Sequence, residues 1–394
     1  MRLPLIATLI LLLFAIAIDF YLWRRIRTVS KNKIWSRIHV AVAVIFNLAL
    51  LLVICVPKRS GGNSGLELIM WTLYTYFSVY IPKFLFVIFD LIAALPLLWK
   101  RNRWKWLSVT GIVIGVIVFI VMWWGALINR YSIDVRNVDV EIAGLPEEFD
   151  GFTIAQISDL HVGTYGTDTA FVSDVVDRVN SLSPDIVAFT GDIVNRRSSE
   201  LRPFVSPLSR LRGRDGVFSI LGNHDYGDYY SWPSPQAKAD NMTELLDMQS
   251  EMGWKMLNNA TAFVYRGNDS IAIVGVENVG DPPFTVYGDL DMAYEALDDP
   301  TVKILLSHNP AHWVEDIKDS PDKNIALTLS GHTHAMQMSA FGLSPAALRY
   351  PTWGGLYSDE DGHQLYVNIG IGEVAIPARI GATPEITLIT LRRK

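Results

Sequence analysis

The hydropathy pattern changes character once along the chain. Over the first 130 residues it consists of long apolar runs at Leu3–Trp23, His39–Val56, Leu68–Phe89 within a longer apolar region, and Leu107–Ile128. Each approaches the ~20 residues that carry a helix across ~30 Å of hydrocarbon, so four transmembrane helices are predicted. Residues 66–99 exceed one straight span and contain Pro82, yet neither half reaches a full crossing and no polar hairpin divides them, so they read as one long helix. Ala15-Ile16-Ala17 mimics a signal-peptide cleavage site, and a removable leader is the competing reading of the first run. Beyond Asn129–Asn137 the chain turns to short β-branched runs alternating with amphipathic segments, the pattern of an α/β domain. Phe152–Ser158, Ile186–Thr190, Val217–Leu221, Val302–Ser307 and Ile325–Ser330 are predicted strands. Segment Trp232–Met252, which opens on Pro233 and Pro235, is a predicted amphipathic helix inserted over the site. The expected division is a membrane anchor over 1–130 and a globular domain over 131–394.

Composition agrees with that division. Of 394 residues, 50% are hydrophobic and 19% charged, and the mean hydropathy of +0.24 is too high for one ordinary soluble domain. The net charge of −6 hides an asymmetry: residues 1–130 hold 15 Lys and Arg against 3 Asp and Glu, a balance of +12, and the remainder holds 19 against 37, a balance of −18. So acidic a second part argues against a nucleic-acid partner, because phosphate contacts need clustered cations. The single cysteine, Cys55, excludes a disulfide scaffold and a Cys-rich zinc module. Two basic loops, Arg24 to Arg37 and Lys100 to Lys105, belong on the cytoplasmic side. That places everything after Ile128 outside, in a multi-pass protein of the cell inner or plasma membrane. Lys83 and Asp90 lie in or beside the third span, where local pairing or snorkelling competes with a role in substrate handling. The spans are otherwise read as a plain anchor.

The five predicted strands end on Asp159-Leu160-His161, Gly191-Asp192, Gly222-Asn223-His224-Asp225, Ser307-His308 and Gly331-His332-Thr333-His334. Side chains at the C-terminal ends of such strands converge on one crevice. Carboxylate, imidazole and amide oxygen without thiolate suit Mn, Fe or Zn in a catalytic site rather than a structural zinc finger. The glycines before Asp192, Asn223 and His332 permit positive φ and close backbone approach. Taken singly these signals are weak, since a lone histidine or Gly-Asp pair is usually structural. Their joint order and shared placement carry the argument.

In that order, D-x-H, G-D, G-N-H-[DE], H and G-H-x-H over Asp159–His334, the sequence resembles the calcineurin-like metallophosphoesterase superfamily. The membrane-anchored layout and the tail from Trp353-Gly354-Gly355-Leu356 to Pro377-Ala378-Arg379 are similar to its bacterial YkuE-like branch. Many members of that branch read G-H-T-H-G-G-Q, whereas this chain has the bulkier Ala335-Met336-Gln337 after His334. The resemblance implies a four-layer α/β/β/α sandwich behind the four transmembrane helices, with two divalent metal ions at one edge. It implies that Asp159, His161 and His334 hold one ion, Asn223, His308 and His332 the other, and that Asp192 bridges them. His224 would stand beside the phosphoryl group as proton donor or charge stabiliser, oriented by Asp225. The implied activity is hydrolysis of a phosphodiester, phosphomonoester or pyrophosphate bond by metal-activated hydroxide.

An anionic substrate approaching a −18 domain needs local cations, and Arg196, Arg197 and Arg379 are the expected ones. Trp353 and Tyr357 are read as packing anchors, and His312 and His363 as surface or structural histidines. Anchoring favours a substrate at the bilayer surface or in the envelope, lipid-linked in kind. The runner-up is a UDP-diacylglucosamine pyrophosphatase-like enzyme of lipid A synthesis, which requires the domain to be cytoplasmic. The reading from another class is a transporter or receptor with a regulatory phosphoesterase-like domain.

Overall fold

The computed structural model describes residues 5–54, 56, 62–280, 285–296, 298–318 and 323–394; Leu3 and Cys55 lie outside them. The chain forms two compact units, Met1–Ile128 with Ala375–Ala378, and Asn129–Val374 with Arg379–Lys394.

In the first unit the apolar runs form α1 (Leu5–Val29), α2 (Lys33–Ile54), α3 (Asn63–Ala94) and α4 (Lys105–Leu127). All four are long and apolar enough to cross a membrane, where a helix satisfies every backbone group internally. Helix α1 runs unbroken through Ala15–Ala17, and α3 continues through Pro82 as a single 32-residue helix. The ionisable residues pair across helices. Asp90 is fully buried and meets Arg25 Nε at 2.9 Å and Arg103 at 2.6 Å, while Lys83 Nζ donates to Asp19 Oδ1 at 2.9 Å. Local pairing is therefore the better account of Lys83 and Asp90. The plain-anchor reading passed over Gly111-Ile112-Val113-Ile114-Gly115, a small-residue spacing that lets helix backbones approach. A Cβ at Gly111 would lie 2.7 Å from Phe89 Cβ, and one at Gly115 would lie 3.2 Å from the Pro82 carbonyl oxygen, so α3 and α4 pack through these two positions.

The second unit contains β1 (Asp134–Ile142), β2 (Thr153–Ile157), β3 (Ile186–Phe189), β4 (Gly216–Ser219), β5 (Lys255–Met256), β6 (Ala260–Arg266), β7 (Asp269–Gly275), β8 (Lys303–Leu306), β9 (Ile325–Ser330), β10 (Gly355–Ser358), β11 (Gln364–Val367) and β12 (Glu385–Arg393). The predicted strands are β2, β3, β4, β8 and β9, each matched to within two residues. They form two six-stranded sheets, ordered β1-β12-β2-β3-β4-β5 and β10-β11-β9-β8-β7-β6. Within them β2 to β5 run parallel, as do β7, β8, β9 and β11.

Alternation along the strands builds the layers, because successive side chains point to opposite faces. Ile154, Ile186, Ala188 and Phe218 of the first sheet pack with Ile273, Ile304, Leu306 and Leu329 of the second in the central core. Their neighbours Ala155, Val187 and Phe189 turn outward onto α5 (Ala170–Ser181), α6 (Val205–Leu208) and α7 (Pro235–Glu251). On the far side Leu305, Leu365 and Val367 pack against Trp313 and Ile317 of a short helical segment. The result is the expected four-layer α/β/β/α sandwich. Helix α7 departs from its expected place. It starts at Pro235, where the Ser234 side chain accepts from Ala237 N, and its Leu245 and Met248 belong to the outer core of the first sheet. It is part of the helical layer, because its apolar stripe is long enough to need burial there.

Candidate metal centre

The C-terminal ends of β2, β3 and β4 in one sheet and of β8 and β9 in the other deliver all seven expected ligands to one place. Asp159 Oδ1 lies 3.2 Å from His334 Nε2, and His334 Nε2 lies 3.1 Å from His161 Nε2. Asp192 Oδ2 lies 3.5 Å from His161 Nε2 and 3.3 Å from His308 Nε2, touching both halves of the cluster. His308 Nε2 is 3.1 Å from Asn223 Oδ1, which is 2.9 Å from His332 Nδ1. Ligand atoms of Asp159, His161 and His334, and again of Asp159, Asp192 and His308, lie within 4.8 Å of one another in buried surroundings.

The backbone is bent to make this possible. Asp159, His161, Asp192, His332 and His334 all take positive φ, between 43° and 72°, a left-handed conformation that costs an ordinary residue about 1–2 kcal/mol. Such strain persists only where the surroundings over-determine it and concentrates at functional sites. Among the glycines, a Cβ at Gly222 would overlap Asp192 Oδ1, and one at Gly331 would overlap Asp159 Oδ2. Both carboxylates therefore press directly on backbone.

Hydrogen bonds aim the candidate ligands inward. His308 Nδ1 donates to the Thr190 carbonyl at 2.7 Å, leaving Nε2 toward the cluster. The Tyr350 hydroxyl is 3.0 Å from His332 Nε2, which turns Nδ1 inward, and Asn223 Nδ2 donates to the Tyr229 hydroxyl at 2.8 Å, which turns Oδ1 inward. Neither tyrosine was singled out in the sequence. Tyr229 sits in the aromatic run after Asn223, and Tyr350 has no local signal at all.

The electrostatics suit a cation. Burial opposes charge on Asp159, but the His334 and His308 imidazoles beside it hold its carboxyl below the usual range; Asp192 is likewise held well down. Burial would also lower His308, yet the Asp192 carboxylate lifts it to about 9, while burial and the neighbouring His308 push His332 down to about 3. Two ionised carboxylates, four imidazoles and an amide oxygen facing one another fit divalent cations by the chemistry of their donors.

His224 is half-exposed at the rim. Its Nδ1 donates to the Asn195 carbonyl at 2.7 Å, and its ring stacks on Tyr229 at 4.2 Å and stands edge-on to His161 at 4.8 Å. Asp225 does not orient it. The Asp225 carboxylate is fully buried and accepts from the backbone N–H groups of Asp192, Gly222, Ile193 and Val194 at 2.9–3.2 Å, bracing the Asp192 loop. Burial and the Asp192 charge raise it to about 7.

The expected cations also divide. Arg379 is fully buried, its guanidinium donating to the carbonyls of Gly372, Ile369 and Ala382 and lying 3.2 Å from His334 Nδ1, so no N–H remains for a substrate. Arg196 is buried beside Glu200, and Arg197 is half-buried over the Tyr230 ring. His312 and His363 are buried and structural, held to Ser307 and Asp359. Trp353 packs against Ala335 and Ile369, and Tyr357 packs in the outer core of the second sheet.

Residues 1–130 match the family model described as probable calcineurin-like phosphoesterase, transmembrane domain, and residues 152–336 match the calcineurin-like phosphoesterase model. Proteins called "Transmembrane protein with metallophosphoesterase domain" from Danio rerio and Bos taurus are each 33% identical, over 66% of this chain and 57% of their own length. The chain thus spans a little over half the length of these relatives. Metallophosphoesterase YkuE of Bacillus subtilis is 29% identical over 67% of this chain and 87% of its own. Motif order, two-sheet fold and both family models agree: the chain belongs to the calcineurin-like phosphoesterases, in the group with a four-helix transmembrane domain ahead of the phosphoesterase domain.

Proposed function

We propose that this protein is a membrane-anchored phosphoester hydrolase working at a two-ion centre. The observation that carries the reading is the convergence of seven donor side chains, from strand ends of two sheets, around the Asp192 carboxylate. Asp159, His161 and His334 would hold one divalent ion and Asn223, His308 and His332 the second, with Asp192 shared. Bound there, the ions supply Lewis acidity that activates water near neutral pH and neutralises phosphoryl oxygens. His224, fixed through Nδ1 by the Asn195 carbonyl, presents Nε2 at the rim, where it can carry a proton to the leaving oxygen. Arg197 over Tyr230 is the proposed substrate-side cation. The phosphodiester, phosphomonoester or pyrophosphate substrate sits at a membrane or envelope surface and is lipid-linked. The two basic loops favour a domain on the extracytoplasmic side.

The test uses purified full-length protein, Mn²⁺ and a chromogenic phosphodiester or phosphomonoester. Asp192→Asn should lose bound metal, whereas His224→Ala should keep it and lose on the order of 10²–10⁴ in kcat, the worth of a proton-transfer group. Equal metal loss in both variants overturns the division of roles. A reporter fused after Lys394 that is active in the cytoplasm overturns the orientation.

A further inference from the structure

Arg379 stands directly behind His334, and the structure continues inward from it to an unexpected place. The Arg379 carbonyl accepts from Asn129 Nδ2 at 2.9 Å, and Asn129 Oδ1 accepts from the Thr383 hydroxyl at 3.1 Å. Glu373, fully buried, meets Arg130 at 2.9 Å, and its carbonyl accepts from Thr164, in the turn that follows His161. Gly372, whose carbonyl takes two Arg379 donors, donates its own N–H to the Asp159 carbonyl at 2.7 Å. Asn129 and Arg130 are 3% and 4% exposed, which is rare for an arginine unless it is paired. They immediately follow α4 and its end residue Ile128, at the point where the sequence placed the domain boundary.

We propose that Asn129 and Arg130 are positioning residues for the metal centre, holding His334 in place through Glu373 and Arg379. A fully buried guanidinium needs a counter-charge, or its desolvation is uncompensated. Glu373 supplies that counter-charge through space rather than by a direct ion pair, and the Arg130 contact favours its ionised form against burial, which pushes its carboxyl up to about 7. With Arg130 removed, Glu373 takes a proton, Arg379 loses its counter-charge, and the loop of carbonyls around its guanidinium relaxes. His334 and the backbone of Asp159 then lose their shared support. The boundary of the metal-binding unit accordingly lies at Asn129, two residues before the expected one.

This rests on the reading of His334 as a ligand. The experiment is calorimetric Mn²⁺ titration of chelator-treated full-length protein in detergent, with thermal unfolding recorded in parallel. Arg130→Met should weaken Mn²⁺ binding at least tenfold in protein that still unfolds cooperatively, and Arg130→Lys, which keeps the charge, should recover most of it. Because the effect passes through Glu373, Arg130→Met/Glu373→Gln should bind no more weakly than the weaker single variant. Should Arg130→Met fail to fold, Asn129→Ala, which removes only two hydrogen bonds, should still weaken binding severalfold. Parental affinity in a folded Arg130→Met or Asn129→Ala variant, or additive losses in the double variant, overturns the inference. Failure of the unaltered protein to bind Mn²⁺ overturns instead the metal centre beneath it.

Discussion

At the scale of single residues, the candidate ligands that the structure gathers are legible in the sequence and their supports are not. Asp159, His161, Asp192, Asn223, His308, His332 and His334 sit in short motifs at strand ends, where residue type and spacing carry the information. Tyr229, Tyr350 and Asn195 act through one hydroxyl or carbonyl each, and nothing local distinguishes such a group from any other. Asp225 reads in sequence as a partner of His224 and Arg379 as a substrate cation, because a buried charge looks the same there whether it faces a substrate or the backbone. The bulky Ala335-Met336 pair after His334 takes φ of 50° and 47°. Met336 is 42% exposed, so little packing opposes its replacement. Relief of left-handed strain outweighs the added entropy of glycine, and Met336→Gly should raise stability by about 0.5–1 kcal/mol, read as a higher urea midpoint. His312, buried against Ser307 and near Asp316, is pushed down to about 4 from 6.5. The folded state therefore refuses a proton that the unfolded chain accepts, and stability falls as pH drops from 6.5 toward 4. Replacing it, as His312→Gln, should remove about 2 kcal/mol of the loss between pH 7 and 5, measured by urea unfolding at both values.

At the scale of elements, the five strands that end in candidate ligands were legible because each is a β-branched run stopped by polar residues. Strands β1, β5, β6, β7, β10, β11 and β12 were not individually assigned. They are edge strands or lie among mixed segments, where pairing with a distant partner decides the conformation. Helix α7 was found but misplaced, since an amphipathic stripe says that a face is buried and not against what. In the membrane unit the Gly111 and Gly115 spacing was missed within a uniformly apolar run, although Gly111 faces Phe89 and Gly115 faces Pro82. Gly111→Leu should force α4 away from α3 and lower the unfolding temperature of the full chain in detergent, with the Mn²⁺ affinity of the second unit unchanged.

At the scale of the whole molecule, the split of +12 and −18 separates two units with different solvents. The acidic excess far exceeds the two candidate carboxylate ligands, so metal-free protein should attract anionic substrates poorly. Cation binding should also be visible as stability. At a free metal concentration 100 times Kd, binding adds about 2.7 kcal/mol, so chelation should lower the melting temperature of the second unit by about 5–10 °C, followed by scanning calorimetry. The order of the first sheet has a further consequence. Strand β12 lies between β1 and β2, and among the described residues it is the only sheet neighbour of β1. A ribosome adding about 5–20 residues per second leaves β1 without a partner for roughly 12–50 s, until Arg393 emerges. Until then β1 and β2 expose edges open to mispairing. The Asp159 strand end gains its flank only after Arg393 has been translated, so the nascent domain should capture metal late and depend on shielding until then.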